Sequence, residues 1–256
     1  MTALLASEWL KLRSVRSTWY ILGLVAFAVL CAALLTLQGV NVWDALPPER
    51  RARFPVPPTE RMLLPPVQLC AGVLAVMAIT SEYATGTIRG SLTAVPRRGA
   101  LLAAKAAVVA GACLAAGLVF LFAGFAAGRA IIGDRPMGPG HVAPAPGEIP
   151  MLLASGLSVA VVALVGVGLG AATRSTAAAV VAVGGLLFAL PAVAGLLPGP
   201  WAGRIGSVLL PNLAGQLAGH PSAAGDLPPP AALGVLAAYA AIAIGAGGTA
   251  LTWRDA

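Results

Sequence analysis

The chain has 256 residues, of which 59% are hydrophobic and only 10% charged, and its mean hydropathy is +0.90. A soluble domain carries about a quarter charged residues, so the composition excludes a soluble fold and reads as a polytopic membrane protein. The formal charge of +7 comes without an aromatic-interleaved basic patch, so it reads as the cytoplasmic Lys and Arg excess that orients membrane proteins rather than as a nucleic-acid surface.

Residues Thr2–Thr18 read as an interfacial helix, part of an N-terminal segment 1–18. At 100° per residue, Leu4, Leu5, Trp9, Leu12 and Val15 share one arc, and Ser7, Lys11, Arg13 and Ser14 the other. Glu8 intrudes on the apolar arc. A cleaved signal peptide is disfavoured, because the next apolar run is too long and no small-x-small site follows it. The Val29–Ala32 stretch is a poor lipoprotein box, since Leu30 is bulky where a small residue is wanted.

Six apolar runs follow, near 19–37, 63–80, 106–128, 151–172, 177–197 and 231–252. Each is long enough to cross a hydrocarbon core of about 30 Å. No long polar linker divides them, and the whole chain, 1–256, reads as one transmembrane domain. Between the second and third runs lies Ser81–Lys105, where Ile88, Leu92 and Val95 fall at i, i+4 and i+7 on one helical face. Pro96 ends that helix and Arg97-Arg98-Gly99 turns the chain. By periodicity alone such a helix either rests on lipid headgroups or docks into a groove on a soluble partner.

The outer connections are rich in proline and read as extended. The last, Pro198–Pro230, differs: Gly206–Ala218 is apolar enough to dip back into the membrane or to lie on the outer surface. Pro191 is expected to kink the fifth span or to mark its outer end. Gly124/Gly128, Gly166/Gly170 and Gly195/Gly199 are small-xxx-small pairs that let helices approach closely.

With the N-terminus inside, the cytosolic segments hold Lys11, Arg13, Arg16, Arg89, Arg97, Arg98, Lys105, Arg174 and Arg254. The outer loops hold Arg50, Arg51, Arg53, Arg61, Arg129, Arg135 and Arg204, spread over more residues. The density favours both termini in the cytosol, with the Arg50–Arg53 cluster weighing against it.

Catalytic chemistry finds no support. Cys31, Cys70 and Cys113 lie inside apolar runs, with neither disulfide framework nor metal spacing, and read as packing residues. The two histidines, His141 and His220, fall in outer loops as solvated side chains, and the serines have no histidine partner. No span carries an ionisable group at its centre, as a secondary transporter or proton pump generally requires. Neither lysine, Lys11 nor Lys105, follows a glycine-rich phosphate loop. If ATP drives this protein, another polypeptide binds it.

Glu82-Tyr83, Gly86-Thr87-Ile88-Arg89, Leu92 and Pro96-Arg97-Arg98 together resemble the second-to-third span connection of ABC type-2 transporter permeases, closest to small permeases of bacteria. Ser7–Ser14 is similar to the elbow helix that opens such permeases, Gly170–Ala177 to their fourth-to-fifth span turn, and Leu210–Gly215 to their outer re-entrant element. The resemblance implies an all-α fold of six transmembrane helices, with an N-terminal elbow helix and a short cytosolic coupling helix. It implies the permease subunit of an ATP-driven exporter in the bacterial plasma membrane, paired with a second permease copy and served by separate ATPase subunits. Glu82, Tyr83, Gly86, Thr87, Ile88, Arg89, Leu92 and Arg174 are then the coupling and partner-binding residues, with no catalytic, cofactor or metal site on this chain. Two other classes fit the residues: a membrane scaffold or immunity protein without transport, and a secondary transporter.

Overall fold

The computed structural model describes residues 2–51, 54, 57–87, 98–135, 145–220 and 225–253. Among these, all regular secondary structure is helical. Helix α1 (Thr2–Ser14) precedes α2 (Arg16–Ala45), a single turn α3 (Pro48–Arg51), α4 (Thr59–Ala84) and α5 (Arg98–Ile132). Then come α6 (Ala145–Thr173), α7 (Thr176–Gly184), a π-helical turn (Gly185–Ala189) and α8 (Leu190–Gly195). Two short helices, α9 (Gly199–Val208) and α10 (Leu210–Leu217), lead to α11 (Pro229–Trp253).

Six of these helical stretches are long and apolar enough to span a membrane: α2, α4, α5, α6, the continuous Thr176–Gly195 stretch and α11. Each begins or ends within its expected apolar run or a few residues outside it. The largest differences are at the end of α2, which runs on to Ala45, and at the start of α5, which begins at Arg98 and so takes in Lys105; Ser81–Ala84 likewise belongs to α4. A helix does not stop where hydrocarbon stops, because its backbone bonds remain satisfied in water as well.

Helix α6 is the hub, packed against α4, α5, α7, α10 and α11. Its glycines explain why. A Cβ on Gly166 would lie 2.6 Å from the Gly72 carbonyl of α4, and one on Gly170 2.6 Å from the Ile79 side chain. On the other side of α6, a Cβ on Gly168 would strike the Ala243 carbonyl of α11, and Gly247 sits 3.0 Å by the same measure from the Gly168 carbonyl. With no water to expel, such backbone approach is what holds helices together in lipid. Gly124 and Gly128 are equally tight against Leu63 and Thr59 of α4, whereas Gly195 and Gly199 face open space. A buried hydrogen bond, from Gln68 Nε2 to Ser158 Oγ at 3.0 Å, adds a polar tie between α4 and α6.

By contrast α2 is peripheral and presents Trp19, Tyr20, Leu24, Phe27, Leu30 and Leu34 outward. An apolar outer face of this kind is what lipid requires.

Several proline expectations are corrected. Pro48 opens the turn α3, Pro146 and Pro150 lie in the first turns of α6, and Pro58 precedes α4. Proline is tolerated at 48, 58 and 146 because the first amides of a helix have no intrahelical acceptor, whereas Pro150, in the second turn, forgoes one intrahelical bond. Pro191 does not end its helix. Its missing N–H strips the residue 187 carbonyl of its partner, and the π-helical turn Gly185–Ala189 absorbs the misfit while the helix runs on to Gly195.

The segment expected to dip or to lie on the surface is a pair of helices broken at Leu209, which is extended (φ −76°, ψ 136°). Leu210 and Leu213 of α10 are buried with Val162 of α6, Val183 and Leu187 of the fifth span, and Leu236 of α11.

Candidate functional site

The ends of α1, α4 and α5 meet in a cluster of four charges. Lys105 Nζ lies 2.5 Å from Glu8 Oε2 and 2.9 Å from Glu82 Oε1. Lys11 Nζ closes the ring at 2.7 Å from Glu8 Oε1 and 3.0 Å from Glu82 Oε1. Glu8, Glu82 and Lys105 are buried, at 3%, 7% and 4% exposure, while Lys11 opens to solvent. Lys105 also donates to the Ala78 carbonyl at 3.2 Å. Two carboxylates and two ammonium groups cancel, which is the condition for burying them at tolerable cost.

Local sequence places each member. Glu8 is the only buried residue of α1. The residue that spoils the apolar arc of that helix is therefore its anchor, whereas Leu5, Trp9 and Val15 of the arc face outward. Burial by itself would raise the Glu8 carboxyl, but hydrogen bonds from Lys105 and Lys11 outweigh it and hold the group below its ordinary value of 4.5. Burial would likewise lower Lys11, and its bonds to Glu8 and Glu82 overcome this and raise it above 10.5.

The cluster borders a cavity of about 430 Å³ between α1, the start of α2, the end of α4 and the start of α5. Among the described residues Glu82 Oε2 is buried with no hydrogen-bond partner.

Helix α4 ends beside the cluster through a left-handed turn. Gly86 takes φ +70°, and the amides of Thr85 and Gly86 bond to the Ser81 and Tyr83 carbonyls at 3.0 and 3.3 Å. Gly86 thus stops the helix, a geometric duty that its absent Cβ makes inexpensive. Thr87 shares a hydroxyl–hydroxyl bond of 2.9 Å with Thr85.

Tyr83 faces a second element. The Arg174 guanidinium lies 5.3 Å from its ring centroid and reaches the Ala250 carbonyl of α11 at 3.4 Å. Arg174 itself holds φ +55°, in the turn between α6 and α7. Next to it Ser175 caps α7, accepting from the Ala178 amide at 3.4 Å. Thr176 of α7 donates to Thr80 of α4 at 2.7 Å.

Five of the eight residues singled out from the sequence, Glu82, Tyr83, Gly86, Thr87 and Arg174, therefore converge at one end of the bundle. Ile88, Arg89 and Leu92 lie outside the described residues. Glu8, Lys11 and Lys105 were not singled out as site residues. The available signals were a carboxylate on an apolar helical face and a lysine interrupting the run Leu101–Cys113.

These features define a multi-pass helical membrane protein with a charged knot at the end where its N-terminal helix meets the bundle. Residues 4–191 match the model of the ABC-2 family transporter proteins, well over half of the chain, and the chain belongs to that family. It is accordingly an ABC transporter permease. The comparison with curated proteins found no match.

Proposed function

We propose that this chain is the membrane subunit of an ATP-driven exporter, moved by a separate ATPase that docks at the end carrying the charge cluster. The observation that supports this reading is the ring Glu8–Lys105–Glu82–Lys11, which ties α1, α4 and α5 into one unit at that end. A push applied beyond Glu82 would be carried by this ring into α5 and α1 together, not into a single helix. Arg174 extends the linkage through Tyr83 to the α6–α7 turn and to α11. The unpartnered Glu82 Oε2 fits the same picture, because a buried acceptor is costly until a donor reaches it, and a docking chain is one source of that donor.

In this reading Ile88, Leu92 and Val95 form the docking face with Arg89 at its rim, ATP stays on the partner, two permease copies pair, and both termini are cytosolic. Helix α1 lies along the inner leaflet, with Leu5, Trp9, Leu10 and Val15 toward lipid.

The test is affinity purification of the full chain from native membranes. An ATPase should co-purify, and Leu92→Asp should remove it at equal membrane abundance, since an unpaired carboxylate in an apolar groove costs several kcal/mol, roughly two or more powers of ten in affinity. Arg89→Ala should lose about fivefold or less. Undiminished recovery with Leu92→Asp refutes this docking face, and absence of any ATPase refutes the exporter reading.

A further inference from the structure

A larger cavity, of about 550 Å³, lies alongside the charged one and is lined by α1, α2, α4, α5 and α6. It exists because α5 turns a run of small side chains, Ala112, Ala115, Ala116 and Gly117, toward the gap that α2 and α4 leave. Its deep wall is apolar: Val25 of α2, Val67 and Leu74 of α4, Phe120 of α5 and Val159 of α6. Along α5 the lining runs from Ala112 to Phe120, a slot about 12 Å long at 1.5 Å per residue.

The mouth is different in chemistry. Trp9, Arg13 and Trp19 stand there, all exposed, and the Trp19 indole donates to the Arg13 carbonyl at 3.1 Å. Tryptophan pairs of this kind mark the headgroup level of a bilayer. Arg13 and the exposed Arg16 have no carboxylate at ion-pair distance among the described residues, because Glu8 and Glu82 are taken by Lys11 and Lys105. An apolar slot at membrane depth thus opens at Arg13, an uncompensated cation at headgroup level, with the exposed Arg16 close by in the chain at the start of α2.

We propose that this cavity is a binding site for an anionic phospholipid, one acyl chain filling the slot and the phosphate meeting Arg13 and Arg16. The volume lies within the range of about 300–1,000 Å³ typical of small-ligand sites. Charge decides the headgroup: a zwitterionic lipid brings no net negative charge to the two arginines. The site requires only membrane residence and stands apart from the exporter reading.

The experiment uses the full chain, exchanged into micelles holding equal phosphatidylglycerol and phosphatidylcholine, with retained lipid counted by native mass spectrometry. Wild type should keep one phosphatidylglycerol in preference to phosphatidylcholine by roughly thirtyfold, the preference expected of two basic side chains at an anionic surface. Arg13→Gln with Arg16→Gln, both on the surface, should keep a bound lipid but bring the preference near parity. Ala116→Phe, which fills the slot, should lose both lipids. Equal retention of the two lipids by wild type overturns the proposal, as does unchanged retention in Ala116→Phe, which would indicate annular lipid only. Disulfide trapping of Trp9→Cys between two copies would also overturn it, assigning the mouth to a protein interface.

Discussion

Replacing Lys105 with methionine removes one charge from the ring and leaves its shape nearly intact. Glu8 and Glu82 then face each other with only the half-exposed Lys11 to compensate. Removing one partner of a buried ion pair costs about 3–5 kcal/mol, because the remaining charge stays buried. Little else ties α1 to α4 and α5, since its other interhelical bonds, from Thr18 to the Leu12 carbonyl and from Trp19 to the Arg13 carbonyl, come from the adjoining α2. Glu8 is its only buried residue, and Leu12 packs half-buried against the core, a contact of about 1–1.5 kcal/mol. The loss exceeds the remainder, so α1 should leave the bundle, its docking equilibrium falling by roughly two to three and a half powers of ten. Spin labels on Ala6→Cys and Ala84→Cys, both exposed positions, would report this in nanodiscs with the native cysteines replaced by alanine. Wild type and Lys105→Arg should give one narrow distance distribution, and Lys105→Met a broad, longer one. Adding Glu8→Gln to Lys105→Met should recover part of the docking, because the buried repulsion is gone. An unchanged distribution in Lys105→Met would refute the claim that the ion ring anchors α1.

The same labels should show docking that is flat between about pH 5 and 9 and weak at both extremes. Glu8 is depressed, so its contribution is present above 4.5 and lost as pH falls through its lower folded value; Lys11 is raised, so its contribution is present below 10.5 and lost as pH climbs through its folded value. Gly168→Leu should cost at least about 1–3 kcal/mol in thermal or denaturant stability by forcing α6 from α11, whereas Gly195→Leu, in open space, should change it by less than about 0.5 kcal/mol; equal effects would refute the close-approach argument. At Arg174, φ +55° predicts that Arg174→Gly is more stable than Arg174→Ala by about 1 kcal/mol, and identical melting of the two would show that the backbone there carries no strain.

The six spans were legible because a bilayer imposes a local rule. About twenty successive apolar residues must satisfy their own backbone, and any window of sequence reveals that. The all-helical class followed from the same rule. The tight contacts of Gly124, Gly128, Gly166 and Gly170 were legible for a related reason, since i, i+4 spacing puts both residues of a pair on one face. That pattern could not distinguish Gly195 and Gly199, which touch nothing, and it could not join Gly168 to Gly247 on another helix.

Only the tertiary structure decided what the charges do. Glu8 read as a blemish on an amphipathic helix and Lys105 as one more cytosolic cation, yet they meet across 97 residues of chain. Arg51 and Arg135, counted against the orientation, partly serve helix ends. Arg51 bonds the Leu46 and Asp44 carbonyls at 2.9 and 2.7 Å, and Arg135 bonds the Ile132 carbonyl at 3.0 Å and pairs with Asp44. Hydropathy is a property of each residue and its near neighbours, so sequence carries it openly. Charge compensation is a property of pairs brought together by packing, and in this chain the partners that decide the site come from separate helices.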